Sequence, residues 1–177
     1  MNTPVAAIAI ITVSDRASQG IYEDKSGPAA EDWLRKVITS PITITRKIIP
    51  DGRETVATVL RDLAGEGGMD LVLVTGGTGP APRDQTPEAF ADIVEKRLDG
   101  FGEAMRLANL REVPTAILSR QEAGVRGRTL FITLPGKPAA IATSLAAVFG
   151  AVPYCLDLIG AARIEVSPEH CKAFRPG

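Results

Sequence analysis

The chain has 177 residues and a net charge of −1, and its 45% of apolar residues and 23% of charged residues are ordinary for a globular protein. A chain of this length predicts a single domain, residues 1–177, that buries its core without disulfides or structural metal. Because neither sign of charge dominates, we do not expect nucleic acid as a partner, although a few local cations would suffice for a small anionic substrate. The N-terminus lacks the basic start of a signal peptide, and no continuous apolar run reaches about 18 residues, so we expect a cytoplasmic protein without a membrane span.

The cysteine and histidine content argues against a zinc site, which needs about four ligands. The only candidates are Cys155, Cys171 and His170. We expect both thiols to be reduced, with a disulfide between them as the alternative. We assign these three residues and the single tryptophan, Trp33, structural or incidental roles.

The first half of the chain alternates short β-branched runs with amphipathic segments. Apolar residues in continuous runs predict strands, and apolar residues at helical spacing predict helices. The predicted strands cover residues 5–13, 42–49 and 70–75, and the predicted helices cover residues 28–38 and 54–63. Residues 14–27 are polar and are predicted to form a loop, and Pro50-Asp51-Gly52 is a strong turn signal.

The second half begins with a glycine- and proline-rich loop over residues 76–85. Thr86 is predicted to cap a helix that has Pro87 at its first position and ends near residue 98. The further expectations are a helix over 102–112, a hairpin of 123–126 with 129–134, a loop over 135–138, an Ala-rich helical region over 139–160 broken near Gly150 or Pro153, and an irregular tail after 166. Strands that alternate with helices in this way predict an α/β fold with a largely parallel central sheet.

Polar residues and glycines follow each predicted core strand, at the edge where open α/β sheets bind their ligands. They are Ser14, Asp15 and Arg16, then Asp51, then Gly76, Gly77 and Gly79 with Arg83 and Asp84, then Gly136 and Lys137. Glycines let backbone N–H groups approach phosphate oxygens, and Mg²⁺ offsets the repulsion between phosphates and carboxylates. Because the loops converge if the strands are parallel, the pattern predicts a phosphate-handling site.

The glycine-rich loop matches neither of two common nucleotide-binding motifs. It reads GGTGPAPRD, without the G-K-[ST] ending of a Walker A loop, and no G-x-G-x-x-G opens a helix after the first strand. Plainer interpretations also stay open: the glycines could serve a tight turn, Asp51 could be a turn residue, and Arg83 could pair with a surface neighbour. Asp84 has no obvious structural role, because Thr86 is the better cap.

The segment TGGTGPAPRDQTPEA, residues 75–89, resembles the signature of the molybdopterin-binding family, which includes the molybdopterin adenylyltransferases. The similarity extends over nearly the whole chain, through ITVSDRASQG, IIPD, GFGEAMR, VPTAILSRQ and LPGKP, and it is greatest to the stand-alone bacterial molybdopterin adenylyltransferases. One mild departure is Gln85, which stands where the family usually has an apolar residue.

The resemblance implies a three-layer α/β/α sandwich, commonly a homotrimer, with Mg²⁺-ATP and molybdopterin as substrates. The family's two functional aspartates match Asp51 and Asp84, which we expect to be catalytic and to hold Mg²⁺. The product, adenylyl-molybdopterin, would pass to a separate molybdate-inserting protein. Together with the loops above, the motifs predict these substrate- and nucleotide-binding residues: Ser14, Asp15, Arg16, Thr75, Gly76, Gly77, Thr78, Gly79, Arg83, Ser119, Arg120, Pro135, Gly136 and Lys137.

Two other functions fit a chain with this resemblance. The first is a non-catalytic molybdopterin-binding or carrier module of the same fold, against which the retention of both Asp51 and Asp84 argues. The second is a different phosphate-chemistry enzyme, such as a nucleotide pyrophosphatase, which the sequence leaves open.

Overall fold

The computed structural model describes residues 4–177, in which strands and helices alternate along the chain as predicted. The strands are β1 (Ala6–Val13), β2 (Ile42–Ile49), β3 (Leu71–Thr75), β4 (Lys96–Arg97), β5 (Ala123–Arg126) and β6 (Thr129–Leu134). The helices are α1 (Asp15–Ser18), α2 (Ser26–Val37), α3 (Arg53–Ala64), α4 (Thr86–Ile93), α5 (Asp99–Leu110), α6 (Pro138–Val148) and α7 (Val152–Leu158), and 3₁₀ turns cover Pro114–Leu118 and Phe149–Ala151.

The strands form one sheet in the order β2-β1-β3-β6-β5-β4. The first four strands in that order are parallel, whereas the hairpin partner β5 and the short edge strand β4 are antiparallel to their neighbours. The prediction of a largely parallel sheet is therefore confirmed, and so is the predicted β5–β6 hairpin. In the register, Thr75 lies opposite both Thr12 and Leu134, so the parallel strands end at a common edge.

Helices cover both faces of this sheet, because alternate residues of each buried strand point to opposite sides. Ile8 and Ile10 of β1 pack in a core with helices α2, α5, α6 and α7. Ala9 and Ile11 of the same strand pack in a second core with α3 and α4. The fold is thus a three-layer α/β/α sandwich, as the family resemblance implied.

Two predictions about local structure after β1 were wrong or incomplete. The region predicted as a loop over residues 14–27 contains α1, which begins because Ser14 Oγ accepts from the Ala17 N–H. Helix α2 begins at Ser26, earlier than predicted, since Asp24 Oδ1 accepts from the backbone N–H groups of Ser26 and Gly27. Side-chain caps within a polar segment therefore produced helical structure that apolar periodicity does not reveal.

Helix α4 differs from its prediction at both ends. Thr86 is its first helical residue and not its N-cap, because the Thr86 hydroxyl donates to the Gly76 carbonyl at 2.8 Å. The helix ends at Ile93 and not near residue 98. The chain beyond it pairs with β5, where Leu98 N donates to the Ala123 carbonyl, and this strand pairing competes with helix continuation.

The Ala-rich region after β6 is helical and is interrupted by a 3₁₀ turn around Gly150, as predicted. Its residues Pro138–Leu158 are long and apolar enough, by length and composition alone, to pass for a membrane span. Six of its side chains instead pack in the core against the sheet: Ile141, Leu145, Val148, Phe149, Val152 and Leu156. Burial against the sheet thus accounts for the apolar character of this segment.

Candidate functional site

The loops that follow β1, β2, β3 and β6 meet at the carboxyl edge of the sheet, as the sequence predicted. Ser14 N donates to the Ile49 carbonyl at 2.9 Å, which joins the loops after β1 and β2. The Thr75 hydroxyl donates to the Pro135 carbonyl at 2.8 Å, which joins the ends of β3 and β6. Chain order reverses between β1 and β3, so this edge is also the switch point at which doubly wound sheets bind ligands.

Asp15 and Asp51 hold the first two loops together by a reciprocal pair of hydrogen bonds. Asp51 Oδ2 accepts from the Asp15 N–H, and Asp15 Oδ1 accepts from the Asp51 N–H, each at 2.9 Å. The second oxygen of Asp15 forms an ion pair with Arg83 from the glycine-rich loop. Asp15 therefore has a structural role at the site, and it also positions the Arg83 guanidinium.

The glycines of the loop after β3 are required by the fold itself. Gly76 and Gly77 have φ angles of +99° and +65°, a region that residues with a side chain rarely adopt. A Cβ atom on Gly77 would lie 2.5 Å from Thr86 Oγ1 and 3.2 Å from Asp51 Oδ1. The loop backbone therefore packs directly against Thr86 and the Asp51 carboxylate, with no room for a side chain at Gly77.

Asp51 and Asp84 lie on either side of this glycine loop. Burial and then the nearby negative charge of Asp84 raise the pKa of Asp51, opposed by a backbone hydrogen bond. Asp84 Oδ2 also accepts from the Ala81 N–H at 3.1 Å, so Asp84 has a structural contact that sequence reasoning missed. Two carboxylates that repel each other beside a glycine-rich loop suit a cation bound between them.

This donor set fits Mg²⁺, which typically binds one or two carboxylates and takes its remaining oxygens from substrate phosphates and water. The described residues contain no group of three or more His, Cys, Asp or Glu side chains that could hold a metal by themselves. Asp51 and Asp84 would therefore hold the ion only together with a phosphorylated ligand. The ion would supply charge neutralisation between the two carboxylates and the phosphates.

Arg120 holds the far end of the glycine loop. Its Nη2 donates to the carbonyls of Gly79 at 2.9 Å and Asp84 at 2.8 Å, and its guanidinium also pairs with Glu88. This ion pair lowers the pKa of Glu88. The geometry thus gives Arg120, predicted as a substrate ligand, a contact with the loop. It also adds Glu88, which belongs to the segment of residues 75–89 but was not predicted as a site residue.

Several cavities adjoin the site, and two of them involve the loops after β1 and β6. One of about 150 Å³ lies at the end of β1 and is lined by Thr12, Val13, Ser14, Ala17, Tyr22, Asp24, Ser26, Thr75, Gly76 and Gly136. The other, of about 270 Å³, is lined by Asn109, Val113, Thr115, Ala116, Ser119, Gln121, Pro135, Gly136, Lys137 and Ala140. Gly136 and Lys137 precede the first residue of α6, whose exposed N-terminal amides attract anions. The guanidinium carbon of Arg16 lies 5.7 Å from the ring centre of Tyr22.

The fold and this arrangement of loops define an α/β protein built to hold phosphorylated ligands at a sheet edge. A family model described as "Probable molybdopterin binding domain" matches residues 9–154. The chain belongs to this molybdopterin-binding family, as its motifs suggested.

Relatives and solved structures of this family cover nearly the whole chain. A Helicobacter pylori protein named molybdopterin adenylyltransferase is 48% identical over 96% of both chains. A protein of the same name from Escherichia coli K12 is 42% identical, over 99% of this chain and 95% of its own. The crystal structure of the molybdopterin biosynthesis enzyme MoaB from Thermus thermophilus superposes with a TM-score of 0.80 at 40% identity, covering 88% of this chain and 96% of that one.

Proposed function

We propose that this chain transfers the adenylyl group of Mg²⁺-ATP to the terminal phosphate of molybdopterin. The observation that carries the proposal is the pair Asp51 and Asp84, which lie beside Gly77 and Gly79 of the glycine loop, near enough for their charges to interact, and offer the oxygen donors that Mg²⁺ prefers. Relatives that share 42–48% identity over nearly the full length are named molybdopterin adenylyltransferase, which supports the same reaction.

The reaction is an in-line exchange at the α-phosphorus of ATP. A terminal phosphate oxygen of molybdopterin forms a bond to the α-phosphorus, and the bond from that phosphorus to the β-phosphate bridging oxygen breaks. Pyrophosphate leaves with the bonding electrons. Because the attacking oxygen is already anionic, the protein needs no strong general base, and its main work is to position two anions that repel each other.

The chain's residues divide this work between the two ends of the site. Gly77 lies beside Asp51 and Gly79 lies beside Asp84, so backbone N–H groups of this loop suit the phosphates of ATP. Lys137 and the N-terminus of α6 suit a second phosphate. Arg83, held by Asp15, adds positive charge between these ends.

The proposal includes the expected setting of the enzyme. We expect a cytoplasmic homotrimer that passes adenylyl-molybdopterin to a molybdate-inserting protein. An exposed apolar surface supports the trimer: Leu107, Leu110, Val113, Ile117 and Leu118 are 39–68% exposed on α5 and the 3₁₀ turn that follows it.

One incubation separates the proposal from its alternatives. Purified protein with molybdopterin and Mg²⁺-ATP should give adenylyl-molybdopterin and equimolar pyrophosphate, detected by mass analysis. A carrier module would bind molybdopterin and form no product. A nucleotide pyrophosphatase would release pyrophosphate and AMP without molybdopterin, and either result would contradict the proposal.

A further inference from the structure

Two buried side-chain polar atoms in residues 4–177 have no hydrogen-bond partner. They are Ser119 Oγ and Gln121 Nε2. Both residues line the cavity of about 270 Å³ beside the start of α6 and also a second cavity of about 560 Å³, but Asn109, to which the Gln121 amide is linked, lines only the first. Leaving a buried donor unpaired is costly, so such an atom in a folded protein calls for an explanation, and a ligand that supplies the missing acceptor is one.

A chain of hydrogen bonds favours the orientation of the Gln121 amide that leaves its nitrogen unpaired. Asn109 Nδ2 donates to the Met105 carbonyl and to Ser144 Oγ, both at 2.8 Å. The Ser144 hydroxyl in turn donates to Gln121 Oε1 at 3.0 Å. If the amide were turned over, its nitrogen would donate to Ser144 Oγ and the Ser144 hydroxyl would lose this acceptor. In the observed orientation the amide nitrogen of Gln121 is a free donor.

The rest of the cavity indicates what kind of ligand this donor meets. Val113, Ala116, Pro135 and Ala140 give apolar walls, which suit the faces of a flat ring. Lys137 and the N-terminal amides of α6 lie in the same lining and suit a phosphate attached to that ring.

We propose that Gln121 Nε2 donates a hydrogen bond to a ring nitrogen or carbonyl oxygen of a planar heterocycle bound in this cavity. Ser144 acts as a positioning residue, because it does not line the cavity and would act on the ligand only through the Gln121 amide, while Asn109 lines the cavity and also holds Ser144. The inference rests on the proposed function, which supplies two heterocycles with such acceptors, the pterin of molybdopterin and the adenine of ATP. A site built around one oriented donor discriminates against ligands that lack the acceptor.

Gln121→Met tests the inference, because methionine has a similar length and lacks the donor. We expect its affinity for one substrate to fall about tenfold, the scale of one hydrogen bond, while its affinity for the other is unchanged. Affinities are measured separately, by fluorescence for molybdopterin and by calorimetry for Mg²⁺-ATP. The substrate that loses affinity identifies the heterocycle. Ser144→Ala should lower the affinity for the same substrate, since it removes the hydrogen bond that orients the Gln121 amide.

The matched control is Thr143→Val, which removes a hydroxyl of α6 that bonds outside the cavity, to Glu112 and Ala139. It should leave both affinities unchanged. In wild-type protein, the side-chain amide proton signals of Gln121 in a ¹⁵N spectrum should shift when the identified substrate is added, a readout that needs no folded variant.

The outcomes separate this inference from the proposed function. If wild type binds and joins both substrates while Gln121→Met binds both as tightly, or loses both equally, the inference is wrong and the proposed function stands. An unmoved Gln121 amide signal at saturating amounts of both substrates would also overturn it. A wild-type chain that binds neither substrate contradicts the proposed function and this inference together.

Discussion

At the scale of single residues, Asp84 is the carboxylate whose charge the proposed reaction needs most. Asp84→Asn retains an oxygen that can accept from the Ala81 N–H, so we expect the fold to be preserved. It removes the charge, and turnover should fall by about 10²–10³, the scale of losing one preorganised electrostatic contact. The measurement is the rate of adenylyl-molybdopterin formation at saturating Mg²⁺-ATP.

The matched control for Asp84 is Asp62→Asn, which neutralises an exposed carboxylate on α3, away from the site. It should turn over at the parent rate. Molybdopterin affinity should change little in Asp84→Asn, because the pterin does not need this carboxylate. A near-parental turnover rate in Asp84→Asn would remove the main support for the proposed mechanism.

Asp51 predicts a pH-dependent stability effect. Burial and the charge of Asp84 raise the pKa of Asp51 above its ordinary value of 3.8, so the folded state binds that proton more tightly than the unfolded state. The free energy of unfolding therefore falls as pH rises from the unfolded-state pKa of 3.8 through the higher folded-state pKa. Asp51→Asn should therefore unfold at a higher temperature than wild type at pH 7, with a small gain because the group is partly solvated.

The gain in unfolding temperature of Asp51→Asn should disappear in acid, below the unfolded-state pKa, because the wild-type side chain is then also neutral. Thermal unfolding of both proteins from acid to neutral pH checks the sign. A gain that persists undiminished at the acid end would show that burial and Asp84 are not its cause.

Substitution of Gly77 should cost stability, because the fold leaves no room for a side chain there. Gly77→Ala places a methyl group at φ +65° and 2.5 Å from Thr86 Oγ1, so it adds steric overlap to backbone strain. We expect the free energy of unfolding to drop by about 2–3 kcal/mol. Gly68→Ala is the control, since Gly68 has φ +58° with open space around it and should lose only about 1 kcal/mol. Equal losses in denaturant unfolding would show that the overlap with Thr86 relaxes at no cost.

At the scale of elements, Asp70 joins the amino edge of the sheet to the C-terminal tail. Its carboxylate is 2% exposed as a residue and accepts from Ala7 N at 2.8 Å and Ala162 N at 2.9 Å, with Arg128 at 3.3 Å. Asp70→Ala leaves these two backbone donors without an acceptor and should lower the free energy of unfolding by about 3 kcal/mol. Urea unfolding measures this loss, while Asp157→Ala, which removes a partly exposed ion pair of the tail, should lose about 1 kcal/mol or less. Comparable losses would mean that burial does not increase the contribution of the Asp70 hydrogen bonds to stability.

The elements that sequence reasoning located correctly are those whose own residues decide them. The apolar runs of β1 and β3 and the stripe of α3 match the structure within one residue at each end. The two ends of α4, which were predicted wrongly, depend on contacts with other segments. At its start the Thr86 hydroxyl donates to the Gly76 carbonyl, and its end is set by the pairing of the following residues with β5.

At the scale of the whole molecule, the exposed apolar surface on α5 and the following 3₁₀ turn predicts self-association. Leu107 is 62% exposed and Ile117 is 68% exposed, and exposed apolar patches of this kind often mark protein–protein contacts. We expect light scattering at micromolar concentration to give about three times the chain mass of 18.7 kDa. Ile117→Lys should shift this mass towards the monomer, whereas Ile21→Lys, at a 66% exposed residue elsewhere, should not. A monomeric wild type would contradict the trimer.

The sequence by itself determined the α/β class, the parallel strands and the set of loops that meet at one sheet edge, because apolar periodicity and turn residues are local properties. Its motifs also identified the family. Only the tertiary structure showed that Asp15 and Asp51 bond to each other, that Arg120 holds the glycine loop, and that the Gln121 amide bonds to Ser144. These contacts join residues 23 to 41 positions apart in the chain, and nothing in local sequence specifies which distant donor meets which acceptor.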